Sequence, residues 1–146
     1  MNIKYATEPV LIAIPLKNEM MLHEDWYFCV GRRCVWIPAG YIFNGASIPG
    51  PLWPIGSPFE PCLQAGALAH DFLYLTHLVS RSTADDILYH LLRQGGKVNS
   101  ARAHVIWLGV RGFGQIGWHN FADDRRDLND LKTIVSKRSD KDKFII

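Results

Sequence analysis

Apolar positions fall into two regimes along the chain. Before residue 45 they form short runs of strand length. After residue 61 they recur at helical spacing. Val10-Leu11-Ile12-Ala13-Ile14 is a compact apolar run closed by Pro15. Trp26-Tyr27-Phe28-Cys29-Val30 and Cys34-Val35-Trp36-Ile37 are rich in aromatic and β-branched residues, and Gly31-Arg32-Arg33 between them predicts a tight hairpin. Tyr41-Ile42-Phe43 continues the meander after a Pro38-Ala39-Gly40 turn.

Residues 44–61 interrupt this pattern with five prolines and three glycines, which excludes helix and central strand. Ile48, Leu52, Trp53, Ile55 and Phe59 lie in the same stretch, so it reads as an ordered loop packed on the domain. Three helical patterns follow. The first spans about Cys62 to His77. The second begins at Ser82, carries Ile87, Leu88, Leu91 and Leu92, and ends before Gly95-Gly96. The third starts near Asn99-Ser100, carries Ala103, Ile106, Trp107 and Val110, and stops at the glycine-rich stretch Gly112 to Gly117.

The fold class is therefore α+β: an N-terminal antiparallel β meander, a Pro/Gly-rich loop, an antiparallel helix pair and a third helix. Residues 1–121 read as one globular domain. From Asp123 to Lys143, six acidic and seven basic residues occupy 21 positions, so 122–146 reads as a charged C-terminal extension.

Composition narrows the function classes. With 146 residues, 48% hydrophobic and 21% charged, the chain suits one domain with a real core and is neither disordered nor fibrous. A formal net charge of +2 argues against nucleic-acid binding driven by bulk charge. The three cysteines, Cys29, Cys34 and Cys62, match no zinc spacing and no disulfide framework, which predicts a reducing cytosol. The apolar stretch Val10 to Leu16 is far short of the ~20 residues a spanning helix needs, and the N-terminus lacks signal-peptide character.

The chemistry concentrates in Ala69-His70-Asp71-Phe72-Leu73-Tyr74. Neighbouring helical positions diverge by about 100°, so His70 and Asp71 serve different surroundings, while Tyr74 shares the His70 face. Burying a histidine and a carboxylate in an apolar helix is costly without partners. A short link from Leu78 to Arg81 makes the next helix antiparallel and brings Asp85 beside His70. A carboxylate bonded to one ring nitrogen sets the tautomer and leaves the other nitrogen available as a general base. The bland alternative makes Ser82-x-x-Asp85 a capping box and His70 a satisfied structural residue. His77 and His90 could share the interhelical space, and a zinc site through His70, Asp71 and His77 is a weaker alternative. Trp107, Phe113 and Trp118 beside Arg111 and His119 read as core packing under the sheet.

In order along the chain come Ala46-Ser47-Ile48-Pro49, Trp53-Pro54, Ala69-His70-Asp71-x-x-Tyr74, Arg81-x-x-Ala84-Asp85 and the Trp107-to-Gly117 segment. In these the chain resembles domain of unknown function 1353, a family frequent in phages and prophages, over residues 25–119. The family usually carries Asp where Asn44 stands. The resemblance implies phage or prophage origin, hence a bacterial-host cytoplasm or virion location, and phage structural proteins as partners through residues 122–146.

A local similarity to the core of phospholipases A2 implies an activity. On that similarity His70 is the base, Asp85 orients it, and Tyr74 is a supporting donor. Asp71 would hold calcium with the Asn44-Gly45 loop, and the substrate would be a phospholipid or another ester. The alternative is a non-catalytic virion, tail or assembly component, or a host-interaction protein, with the His/Asp cluster as a structural polar network.

Overall fold

A computed structural model describes residues 1–15, 19–43 and 60–120. The strands are β1 (Ile3–Lys4), β2 (Leu11–Ile14), β3 (Glu19–Leu22), β4 (Trp26–Val30), β5 (Arg33–Ile37) and β6 (Ile42–Phe43). The helices are α1 (Pro61–Thr76), α2 (Arg81–His90) and α3 (Ser100–Asn120), and α2 runs on into a π-helical turn at Leu91–Gly95. Strands first and helices after is the expected α+β order. The β half is divided into two small antiparallel sheets, ordered β1-β4-β5 and β2-β3-β6. The expectations for the Pro/Gly loop and for 122–146 fall outside the described residues.

The β4–β5 hairpin forms where Gly31 allows it. Val30 pairs with Arg33 across a two-residue turn, and Gly31 takes φ +62°, the conformation a primed hairpin turn requires at its first position. Trp26 and Phe28 on β4 point into the core, and Tyr27 between them is exposed. The same register sets Cys29 opposite Cys34, and the two are joined by a disulfide. The expectation of three free cysteines is thereby corrected: only Cys62 is free. The hairpin makes neighbours of two cysteines that their spacing alone did not pair, and the cysteine content no longer argues for a reducing compartment.

Two strands were not anticipated. β1 is two residues long and carries no periodic signal. It is held by β4 and by the side chain of Gln94, which accepts from the Ile3 N–H at 3.1 Å. β3 pairs with both β2 and β6, burying Met20 and Leu22.

α1 is buried on every side from Ala65 to Leu75, as befits a central helix. One face packs with both sheets against Leu22, Trp26, Phe28, Ile37 and Phe43. Its N-terminal part joins a second cluster with α2 and α3 that includes Leu63, Leu88, Leu92, Ile106 and Val110. α1 and α2 are antiparallel, with Asp85 against Tyr74 and Leu88 and Leu92 against Gly66. α2 is capped by Ser80, whose side chain accepts from the Thr83 N–H. The alternative reading, a capping box from Ser82 to Asp85, does not hold: Ser80 is the cap and Asp85 is turned to the interior.

α3 does not stop at the glycines; it runs on to Asn120. Glycine lowers helix propensity by only about 1 kcal/mol, which packing readily offsets. Gly114 lies against the Tyr74 hydroxyl, where a side chain would collide. The glycine there serves close approach between helices and does not end one.

Candidate functional site

α1 presents His70 and Tyr74 on one face, and α2 presents Asp85 to both. His70 Nε2 lies 2.8 Å from Asp85 Oδ1, and the Tyr74 hydroxyl donates to the same oxygen at 2.6 Å. The His70 and Tyr74 rings are 4.0 Å apart. His70 and Asp85 are each 0% exposed. The antiparallel pairing read from the short interhelical link therefore brings together the three residues expected to act together.

The charges follow from the surroundings. Burial pushes His70 below its ordinary value, and the hydrogen bond to Asp85 opposes this without cancelling it. Burial pushes the Asp85 carboxyl up. Hydrogen bonds from His70 and Tyr74, with the positive charge of Arg81, outweigh that and hold it below the usual carboxylate range. With His70 held neutral and Asp85 held ionised, the dyad carries a single negative charge on the carboxylate. Nε2 then carries the proton and Nδ1 carries the lone pair. Nδ1 has no hydrogen-bond partner among the described residues. Burial, and then the Asp85 carboxylate beside it, raise Tyr74, which stays a neutral donor.

Asp71 points away from this dyad into its own environment, as helical geometry requires. It is 3% exposed, the Tyr41 hydroxyl donates to its Oδ2, and its Oδ1 has no partner among the described residues. Burial pushes its carboxyl up to about 6, against the Tyr41 hydrogen bond, which favours the ionised form. An orphaned, buried carboxylate oxygen is a demanding group that a cation would satisfy. Calcium takes six to eight oxygens, and Asp71 is one ligand of that kind. Asn44 and Gly45, the other expected calcium ligands, lie outside the described residues. Among the described residues no cluster of three His, Cys, Asp or Glu could hold a metal. The zinc alternative through His70, Asp71 and His77 is therefore not supported. His77 takes φ 51° beyond the end of α1 and stacks on Trp118 at 3.8 Å, and His90 lies edge-on to Tyr89, so neither joins His70 in one site.

Sequence reasoning missed what α3 contributes. Arg111 reaches Asp85 Oδ2 at 3.4 Å. Trp118 packs edge-on to Tyr74 at 5.1 Å, and Arg81 donates to the Arg111 carbonyl at 3.3 Å. Phe113, expected in the core, is 61% exposed. The signal was present: Trp107, Arg111, Gly114 and Trp118 recur at helical spacing on one face, but the glycines masked the helix that carries them.

Residues 20–110 match the family described as Protein of unknown function (DUF1353). The chain belongs to this family. No curated protein and no solved structure matches it. In this DUF1353 member the matched span includes His70, Asp71, Tyr74 and Asp85, and ends one residue before Arg111. No described helix is long and apolar enough to cross a membrane.

Proposed function

We propose that this DUF1353 chain is a hydrolase of the general-base type, acting on an ester with His70 as base and Asp85 as its orienting carboxylate. One observation carries the reading: Nε2 of His70 is held by Asp85 while Nδ1 has no partner among the described residues. In this reading Nδ1 takes a proton from water, the water oxygen attacks the ester carbonyl, and the proton passes to the departing alkoxide. Tyr74 steadies Asp85. Calcium on Asp71, with oxygens from Asn44 and Gly45, would polarise the carbonyl and stabilise the oxyanion. A phospholipid is the substrate to try first, and phage or prophage origin remains part of the proposal.

A second reading rests on burial. His70 and Asp85 are both 0% exposed, as befits a closed polar network that locks three helices. The protein would then be a phage structural or host-interaction component, with residues 122–146 as the partner-binding part.

Fatty-acid release from vesicles of bacterial phospholipid, with calcium and with a chelator, separates the readings. Calcium-dependent release by wild type that is lost in His70→Ala is the expected result. No release under either condition removes phospholipid hydrolysis. A His70→Ala protein that only melts earlier then favours the closed network.

A further inference from the structure

We propose that Arg111 is a positioning residue of the dyad: from α3 it holds the second oxygen of Asp85, leaving the first to His70 and Tyr74. The inference rests on the general-base reading and adds to it a helix that the His-Asp-x-x-Tyr pattern does not contain.

A carboxylate serves a histidine well only if it cannot turn about its own Cβ–Cγ bond. Two donors, His70 Nε2 and the Tyr74 hydroxyl, share Oδ1. Left alone, Oδ2 would be an unpaired, buried, charged oxygen, which is costly. Arg111 meets it at 3.4 Å. The guanidinium is itself placed by Trp107, whose ring centre is 5.7 Å from its carbon, and the Trp107 indole N–H donates to Asp86 at 3.0 Å. α3 thus grips the first turns of α2 at two adjacent carboxylates. Gly114 permits the approach, because a Cβ there would stand 2.5 Å from the Tyr74 hydroxyl oxygen and 3.5 Å from an Arg81 nitrogen. Among the described residues, the charged or titratable groups facing Asp85 are then His70 and Tyr74 from α1, Arg81 from α2 and Arg111 from α3.

A residue that only docks α3 would affect stability. A residue that holds Asp85 also affects the carboxylate itself. The experiment follows the Asp85 side-chain carbon by NMR across pH in wild type, Arg111→Gln and Arg111→Lys, with melting temperatures alongside. The expected result is an upward shift of the Asp85 midpoint in Arg111→Gln and a smaller one in Arg111→Lys, which keeps the charge but not the planar fork. A lower melting temperature with an unmoved midpoint overturns the proposal. If Arg111→Gln does not fold, the midpoint of Arg111→Lys against wild type decides alone. A raised midpoint supports the proposal, and an unchanged one overturns it. Because the readout needs no substrate, the two readings fail separately. An inactive wild type with a moving midpoint removes the hydrolase alone, and an active wild type with a fixed midpoint removes the Arg111 role alone.

Discussion

Two glycines two residues apart on α3 offer a controlled test of how closely this helix packs on the dyad. A Cβ on Gly114 would lie 2.5 Å from the Tyr74 hydroxyl oxygen, while a Cβ on Gly112 meets nothing within 4 Å. Tyr74 has little room to yield. It is 2% exposed, donates to Asp85 at 2.6 Å, and is flanked by His70 and Trp118. Either Gly→Ala change gains about 0.8–1.0 kcal/mol of helix propensity. At position 114, overpacking costs roughly 1–3 kcal/mol against that gain. Gly112→Ala should therefore stabilise by about 1 kcal/mol. Gly114→Ala should range from neutral to about 2 kcal/mol destabilising, once overpacking is set against propensity. At roughly 2–4 °C per kcal/mol for a chain of this size, the two melting temperatures separate by several degrees. Urea unfolding followed by circular dichroism reads the same gap. Equal stabilisation by both changes would refute the close approach of α3 to Tyr74, and with it the placement of Arg111.

Asp71 and the disulfide supply the remaining predictions. Folding raises the Asp71 carboxyl from 3.8 to about 6, so the folded state holds its proton more tightly than the unfolded chain does. Its stabilising contribution is thus complete below the unfolded value and is lost as pH rises through 6, on the order of 3 kcal/mol over the window. Wild-type stability, measured relative to Asp71→Asn, should fall between pH 4 and 7; a constant difference across that range would show that Asp71 is not buried as described. Alkylation of the unfolded, unreduced chain should label Cys62 alone, and reduction should expose all three thiols. Closing so short a loop adds about 2 kcal/mol of stability, which reduction should remove. Labelling of three thiols without reductant would contradict the Cys29–Cys34 bond.

Much of this arrangement is local and was legible in the residues. Gly31 with the apolar runs around it specifies the β4–β5 hairpin, because a two-residue turn needs a left-handed first position. The order of strands and helices follows from the change in apolar period near residue 61. His70, Tyr74 and Asp85 could be brought together because helical spacing and a short link leave one antiparallel solution. What stayed hidden depends on distant partners. β1 exists because Gln94 and β4 hold it, so two residues carry no period of their own. Gly114 looks like a helix stop until Tyr74 is seen against it, since an intrinsic cost of about 1 kcal/mol is decided by the packing opposite. Ser80 rather than Ser82 caps α2, and that two-residue difference leaves Asp85 free to face inward. Sequence periodicity determines which residues share a face; only the tertiary structure decides which faces meet, and so which buried polar atoms find partners and which, like Asp71 Oδ1 and His70 Nδ1, have none among the described residues.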